Sequence, residues 1–383
     1  VLHIIPAFYP ATYFGGPIFS LYELCNALSR TPDIELRVLT TDNTGPKLKR
    51  IKAESFPVSF PSGYSVYYCK YIFGVSVSPS MLLRMPSMIH WADVVHITSV
   101  YSFPTIPALL FCKILRKPVV WSSRGALQRW EGSTKPLLKK VWESICDALL
   151  DKNRCVLHVT SENEAEESRQ RISGVPIEII KNGVDIPPHN PERNWMQGGK
   201  LRLLFIGRLH PKKGVENLLQ AVSVLKNNDI VLTICGTGDD DYTLSLKNMA
   251  DDLGIAGQVH FAGHVEGNAK SKIFWDSNVC IVPSYTENFA MVVAEALAHG
   301  VPVIASRGTP WQALESRGCG WWVENSPDVL AETIRLAQKC DVVAMGEKGR
   351  DWIIEEFSWG KVAARMVVAY DSIRADCIRW HTS

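Results

Sequence analysis

Long apolar runs are missing from this sequence of 383 residues. A helix that crosses a bilayer needs about 18–20 consecutive apolar residues, whereas the longest apolar windows here, such as 103–115, are short and interrupted by proline. No basic segment stands ahead of the first apolar run, so we expect no secretory signal peptide. Collagen-like and heptad repeats are also absent. A content of 46% hydrophobic and 21% charged residues is typical of a globular protein.

Cysteine pairs of the C-x-x-C type are missing too, although the chain has ten cysteines. Neither a zinc ribbon nor a thioredoxin-like redox motif is therefore indicated. Several cysteines, including Cys25, Cys235 and Cys280, lie in apolar periodic segments, where cysteine behaves as a small hydrophobic residue. We therefore expect a reduced protein of the cytoplasm.

A strong net charge is the third missing feature. The formal net charge is +2, which argues against a dedicated nucleic-acid-binding protein. The charge is uneven, because residues 44–154 hold 16 Lys and Arg against 6 Asp and Glu. Two interpretations stay open for this basic region: an ordinary solvated face, or attraction to an anionic membrane surface or an anionic acceptor.

Two similar series of strands and helices are present. The first begins with an apolar run at 1–6, a glycine turn at 15–16 and apolar residues at helical spacing from 18 to 28. The pattern starts again with a strand at 203–206 and a helix over about 214–226. Continuous apolar strands that alternate with helices indicate parallel sheets covered on both faces. The predicted class is α/β, with two doubly wound, Rossmann-like domains.

This pattern predicts a domain over 1–183, a second domain over 184–360 and a linker rich in Pro, Asn and Gly at 185–199. The last amphipathic stretch, 361–383, is too short for a domain and must dock onto one. Ligands of doubly wound sheets bind outside the carboxyl ends of the strands, so we expect the site in a cleft between the two domains.

A cation-rich turn follows the first strand of the second series. Gly207 ends the strand, Arg208 comes next, and Lys213 stands five residues further on, before a helix start. Two cations beside the free backbone N–H groups of a helix N-terminus suit a bound diphosphate. An ordinary strand–loop–helix turn with surface cations is the alternative.

Two glutamates, Glu287 and Glu295, follow the buried strand predicted at 279–282. If the residues between them are helical, their spacing is close to two turns and places both on one face. The backbone N–H groups of residues 288–291 would then stand near a helix start, which is a favourable position for anions. The alternative is that these glutamates are only solvated or cap the helix.

Taken in this order, the two motifs resemble the donor-binding domain of the retaining glycosyltransferases of family four. Segments 182–185, 236–238, 300–305 and 318–323 add to the resemblance, as does the loop at 15–16. It extends over nearly the whole chain, most strongly over 180–360 and most weakly over 44–90. The resemblance implies the GT-B fold, in which two Rossmann-like domains face each other across a cleft and a C-terminal helix returns to the N-terminal domain.

By this resemblance, Arg208 and Lys213 hold the diphosphate of a nucleotide sugar, Glu287 contacts the donor sugar, and Glu295 contacts the ribose hydroxyls. Relatives often have glycine where Ala290 stands, so its methyl group could select a particular donor. The implied catalytic residues are Arg208, Lys213, Glu287 and Arg124, and the implied donor-binding residues are Gly15, Gly16, Gly207, Gly236, Asn288, Phe289, Ala290, Met291 and Glu295.

The N-terminal domain departs from the family at Arg124. Segment 119–127 matches a strand whose end often carries a histidine near the reacting sugar, but arginine stands there in this sequence. Arginine stays charged and cannot act as a general base, so it would instead hold phosphate or sugar hydroxyls. His96, at the end of another predicted strand, and Arg129 are further candidates for the cleft. A satisfied core histidine is the other interpretation of His96.

The resemblance also implies transfer with retention of anomeric configuration, in which cations stabilise the charge that develops on the leaving diphosphate. No cofactor or metal is expected, and helix capping explains the acidic run 239–241. The implied partners are a UDP- or GDP-sugar and a glycan or polyprenyl-linked acceptor of cell-surface polysaccharide synthesis. Contact with the inner face of the membrane is expected through the basic 44–154 region, where cations and tryptophans in 129–142 suit an interfacial helix. The Leu and Val residues of that stretch also suit an ordinary core helix.

Two other functions stay open. The first is a sugar-nucleotide epimerase or a phosphorylase of similar two-domain architecture, although no acid and base carboxylates can be placed for an epimerase. The second is a catalytically weak nucleotide-sugar-binding protein that kept the fold.

Overall fold

A computed structural model describes residues 1–45, 50–51, 57–74, 76–128, 135–188, 199–225 and 229–379. These residues form two compact units, each of the α/β class that the sequence predicts. Unit 1 consists of Val1–Gly183 and the C-terminal segment from Trp359, and unit 2 consists of Val184–Ser358. Most of the predicted linker 185–199 lies outside the described residues.

Unit 1 contains an eight-stranded sheet with the order β3-β4-β2-β1-β5-β6-β7-β8. All neighbouring strands are parallel except β3 and β4, which are antiparallel. The strands are β1 (Leu2–Ile4), β2 (Arg37–Thr41), β3 (Val58–Ser59), β4 (Ser65–Cys69), β5 (Val95–Thr98), β6 (Val119–Ser122), β7 (Cys155–Val159) and β8 (Ile177–Ile179). The helices are α1 (Gly16–Ser29), α2 (Pro79–Trp91), α3 (Thr105–Ile114), α4 (Pro136–Leu149), α5 (Glu162–Arg169) and, numbered last in chain order, α13 (Trp359–Arg379).

Unit 2 contains a six-stranded, fully parallel sheet with the order β11-β10-β9-β12-β13-β14. Its strands are β9 (Leu201–Ile206), β10 (Ile230–Cys235), β11 (Val259–Gly263), β12 (Val279–Val282), β13 (Val303–Ser306) and β14 (Gly320–Val323). Its helices are α6 (Val215–Leu225), α7 (Asp240–Asp252), α8 (Gly267–Trp275), α9 (Met291–Ala298), α10 (Ala313–Ser316), α11 (Pro327–Ala337) and α12 (Val342–Phe357).

The central strands of both sheets are buried at every residue, as in β5, β6, β7, β12 and β13. These strands are mostly apolar because helices cover both faces of each sheet, although β5, β6 and β7 also carry the buried polar residues His96, Ser122 and His158. The acidic run after β10 acts as the sequence predicts, since the Asp239 side chain accepts hydrogen bonds from the backbone N–H groups of Asp241 and Tyr242 and so caps α7.

The last helix, α13, completes the core of unit 1. Val362, Met366 and Tyr370 of this helix are buried in the same apolar cluster as Leu21 and Leu24 of α1. Unit 1 is therefore built from two distant segments of the chain. Among the described residues, no helix combines the length and apolar character that crossing a bilayer requires.

Candidate functional site

Closely packed loops form the carboxyl edge of the sheet in unit 2. Gly236, just after β10, has a φ of +135°, and a Cβ atom there would lie 1.8 Å from the carbonyl oxygen of Gly207, just after β9. Gly214 has a φ of +63°, and a Cβ atom on it would lie 2.1 Å from the carbonyl oxygen of Pro283. Only glycine fits at these close approaches, so Gly214 and Gly236 allow neighbouring loops to come together.

Backbone hydrogen bonds connect the two motifs across this edge. The N–H of Tyr285 donates to the carbonyl oxygen of Lys212 over 2.9 Å. The N–H of Glu287 donates to the carbonyl oxygen of Gly308, in the loop after β13, over 2.8 Å. The cation-rich turn and the glutamate loop are thus held side by side.

The side chains of Lys213 and Glu287 meet at this junction. Lys213 Nζ donates to Glu287 Oε1, and the buried Ser284 hydroxyl donates to the same oxygen over 2.7 Å. The two charged side chains are only 25% and 12% exposed. The structure therefore brings together two of the residues that the sequence singles out. It also shows that Ser284 is a partner of Glu287, which the sequence analysis did not identify.

Arg208 and Lys212 are two more cations of the same loop after β9. Arg208 is exposed and makes no hydrogen bond or ion pair with the described residues. Lys212 is half-buried, and burial lowers the pKa of its ammonium group, while the nearby Glu287 acts in the opposite direction. Sequence reasoning did not select Lys212, although its place next to Lys213 was a signal for it.

The segment between the two glutamates is not helical throughout. Helix α9 begins at Met291, so Glu287 lies in the loop before it and not on a shared helical face. Ala290 at the helix start has the left-handed φ of +59° that alanine rarely adopts. The side-chain oxygen of Asn288 is buried and has no hydrogen-bond partner among the described residues. A buried oxygen without a partner usually accepts a hydrogen bond from a ligand or from a water molecule.

Glu295 of α9 is held by a lysine from the neighbouring helix. Lys270 Nζ of α8 lies 2.7 Å from Glu295 Oε1, and both side chains are partly exposed. His299, the residue that follows the end of α9, stacks on Phe274, and burial lowers its pKa to about 4. Lys270 precedes Glu295 by 25 residues, and no pattern in the sequence links the two.

Arg124 of unit 1 follows β6 at the carboxyl edge of that sheet. Its φ is +51°, its Nη1 donates to Asn182 Oδ1, and its buried Nε has no acceptor among the described residues. Burial lowers the pKa of its guanidinium group, and the nearby carboxylate of Glu164 opposes that shift. Glu164 is itself buried and accepts hydrogen bonds from both the backbone and the hydroxyl group of Thr160.

His96 belongs to a buried chain of polar groups in unit 1, and not to an exposed edge. His3 Nε2 lies 3.0 Å from the Tyr370 hydroxyl, which lies 2.7 Å from His96 Nδ1. The Ser122 hydroxyl then bridges His96 Nε2 and His158 Nδ1. Both ring nitrogens of His96 are occupied, which is the satisfied core histidine of the second interpretation.

One terminal group determines the direction of every bond in this polar chain. The carbonyl oxygen of Ile180 can only accept, so His158 Nε2, 2.9 Å away, must donate to it. If the three rings are neutral, the Ser122 hydroxyl donates to His158, and His96 in turn donates to Ser122. The Tyr370 hydroxyl then donates to His96, and His3 donates to Tyr370. At the end of the chain, the Cys25 thiol lies 3.7 Å from His3 Nδ1. Burial lowers the pKa of His3 and of His158 to about 3, and that of His96 well below its ordinary value, so the rings are neutral.

The remaining predicted site residues lie elsewhere. Gly15 and Gly16 belong to unit 1, at the start of α1, and Gly15 has a φ of +75°. Phe289 and Met291 flank Ala290 at the start of α9. Arg129 lies outside the described residues. Within the described part of the chain, no three His, Cys, Asp or Glu side chains are grouped as the ligands of a metal ion would be.

Models of two protein families match the two units. Residues 14–186 match the model of Glycosyltransferase Family 4, and residues 189–354 match the model of Glycosyl transferases group 1. The two matches divide the chain near residue 187, close to the boundary between the units.

Two curated relatives have similar sequences over part of their length. An uncharacterized glycosyltransferase of Methanocaldococcus jannaschii is 29% identical over 51% of this chain and 53% of its own length. The D-inositol 3-phosphate glycosyltransferase of Corynebacterium glutamicum is 28% identical over 61% of this chain and 60% of its own length. The matched region thus spans between about half and three fifths of these relatives.

Solved structures share the fold over nearly the whole chain. Sucrose-phosphate synthase from Thermosynechococcus elongatus superposes with a TM-score of 0.74 at 18% identity and covers 98% of this chain and 99% of its own. HepE of Anabaena, solved in complex with UDP, gives a TM-score of 0.72 at 16% identity and covers 97% of this chain and 99% of its own. At these identities the likeness shows the fold, which is that of GT-B glycosyltransferases.

Proposed function

Because the chain belongs to the glycosyltransferases of family 4, we propose that it transfers a hexose from a nucleotide-diphosphate sugar to a glycan or polyprenyl-linked acceptor. The donor is a UDP- or GDP-sugar bound at the carboxyl edge of unit 2. One observation carries the proposal: Lys212, Lys213 and the carboxylate of Glu287 lie together at the edge where doubly wound sheets bind ligands. The HepE complex with UDP supports a nucleotide donor.

Each residue of this edge has a role in the proposal. Arg208 and Lys213 bind the diphosphate, Glu287 and the unpartnered oxygen of Asn288 bind sugar hydroxyls, and Glu295 binds the ribose. The bond between the anomeric carbon and the diphosphate breaks, a bond to the acceptor oxygen forms, and the acceptor proton passes to the leaving diphosphate. The cations stabilise the charge that develops on this leaving group, so no metal is needed. The configuration at the anomeric carbon is retained.

Nucleotide binding and donor hydrolysis test the proposed function. We expect UDP or GDP to raise the melting temperature, with a stabilisation of about 2.7 kcal/mol at one hundred times Kd. The matching nucleotide sugar should be hydrolysed slowly without acceptor. Glu295→Ala should reduce the melting shift, because the carboxylate that would bind the ribose is lost. Binding without release of sugar would favour a nucleotide-sugar-binding protein, and interconversion of the sugar would favour an epimerase.

We also propose that unit 1 contacts an anionic membrane, which places a lipid-linked acceptor within reach. In α4 only Glu143 and Cys146 are buried, while Leu137, Leu138 and Val141 are 77%, 59% and 57% exposed. The packing partner of α4 is α3, which exposes Leu110 and Ile114. Five lysines lie within these two helices or within three residues of their ends: Lys113, Lys117, Lys135, Lys139 and Lys140. Exposed apolar side chains bordered by cations suit an interface with anionic lipid.

Trp142 takes no part in this surface, because it packs on the core and donates to the carbonyl oxygen of Val100.

Vesicle flotation tests the membrane contact. Vesicles that contain phosphatidylglycerol should carry the protein upward, and pure phosphatidylcholine vesicles should not, because the lysines need an anionic surface. The triple variant Leu137→Ser, Leu138→Ser, Val141→Ser should lose at least ten-fold in vesicle affinity. Leu244→Ser, which changes an equally exposed leucine of unit 2, is the control. Equal flotation of the triple variant and the control would contradict the proposed surface.

A further inference from the structure

Two charged side chains of the candidate site neutralise each other. Lys213, the lysine proposed to bind the diphosphate, donates to the carboxylate of Glu287, the group proposed to bind the sugar. Both side chains are largely shielded from solvent, so their attraction is weakly screened. Each of the two groups is therefore occupied by the other.

We propose that Lys213 and Glu287 form an internal pair that the incoming diphosphate must open, so that binding of the diphosphate releases the carboxylate for the donor sugar. This inference rests on the proposed function and adds a coupling within it. A nucleoside diphosphate brings at least two negative charges next to Glu287, and like charges at such distances repel. While the pair is closed, the lysine offers the diphosphate less than its full charge.

Two neighbours keep the glutamate in place when the lysine turns away. The hydroxyl of Ser284 is buried against Glu287 Oε1 at 2.7 Å and does not depend on Lys213. Lys212 is close enough to Glu287 and Lys213 for both to affect its ionisation. It can serve as the counter-charge of Glu287 once Lys213 binds phosphate. The carboxylate is thus released without being left as an unpaired buried charge, which would be costly.

If the pair forms, the variant Glu287→Gln should change the affinity for the nucleotide and the rate of turnover in opposite directions. Glu287→Gln keeps the shape of the side chain and an oxygen for the Ser284 hydroxyl, but removes the charge that competes for Lys213. The variant should bind UDP or GDP, whichever the unmodified protein binds, about ten-fold more tightly. Its rate of sugar transfer or donor hydrolysis should fall, because the carboxylate no longer holds the sugar.

Calorimetric titration with UDP and with GDP measures the effect in a double-mutant cycle. Lys213→Gln should weaken binding, and in the double variant Glu287→Gln, Lys213→Gln the gain from the first change should vanish. Glu295→Gln is the matched control, since it removes a negative charge from the same unit but should weaken binding.

The possible results separate the coupling from the function. If the unmodified protein binds neither nucleotide, the proposed function fails and the coupling with it. If it binds one of them, but Glu287→Gln binds it equally well or less well, only the internal pair is overturned. If Glu295→Gln gains affinity as much as Glu287→Gln does, the gain reflects the overall charge of unit 2, and the specific pair is again overturned. Thermal melting of each variant checks that the fold is retained.

Discussion

Replacing Arg208 with glutamine should lower the turnover number of sugar transfer by about two to three orders of magnitude, the usual effect of removing one preorganised group that stabilises developing charge. The physical reason is the position of this arginine in the loop that also carries Lys212 and Lys213, at the edge where the diphosphate is proposed to leave. The fold should not suffer, because the exposed guanidinium has no partner among the described residues. Initial rates of donor consumption, with and without acceptor, measure the effect.

Two further variants define what Arg208 contributes. Arg208→Lys keeps the charge but loses the planar fork of donors that matches phosphate oxygens, so it should recover only part of the rate. Arg335→Gln removes an exposed arginine from α11 of the same unit and should leave the rate unchanged. A turnover of Arg208→Gln within three-fold of the unmodified protein would show that this arginine does not face the leaving group.

Acidification should destabilise unit 1 strongly through its buried histidines. Burial depresses the pKa of His3 and of His158 from 6.5 to about 3, so the folded protein keeps both neutral. Below pH 6.5 the unfolded chain takes up protons that the folded chain does not, so this contribution to stability is present above pH 6.5 and is lost as the pH falls toward 3. By pH 5 the loss should be about 2 kcal/mol for each of the two histidines. Hydrogen exchange of the β5 and β6 amides at several pH values measures it.

A comparison of histidine variants isolates this effect from the titration of carboxylates. His3→Gln should reduce the pH slope of the unfolding free energy by about 1.4 kcal/mol per pH unit between pH 6 and 4. His260→Gln, which changes an exposed histidine on β11, should leave the slope unchanged. An unchanged slope in His3→Gln would mean that His3 is not kept neutral by the fold.

Most strands and helices near the site follow directly from local sequence. The strand predicted at 279–282 is β12 itself, and the helix predicted over 214–226 is α6 within one residue at each end. Apolar periodicity and glycine are local signals, and both are strong here. Strands β3 and β4 and helix α2, in the region 44–90, were not predicted. Strand β3 has only two residues, and α2 contains an internal proline that obscures the helical pattern.

The partners of the site residues depend on the fold and could not be predicted. Lys213 and Glu287 are 74 residues apart, and His3 and Tyr370 are 367 apart. No periodicity connects such residues, because the strand order of each sheet decides which loops become neighbours. The conformation of Ala290 was hidden for another reason. Its left-handed φ is the one that glycine would favour, so an alanine at this position gave no signal for it.

The discontinuous make-up of unit 1 has a consequence for synthesis on the ribosome. Unit 2 is one continuous segment, Val184–Ser358, whereas the core of unit 1 needs Met366 and Tyr370 of α13. Translation proceeds from the N-terminus, and domains usually fold in the order in which they emerge. In this chain the order is reversed: the segment translated second can finish folding first, while the segment translated first must wait, with its histidine-lined core open, for the final helix to leave the exit tunnel.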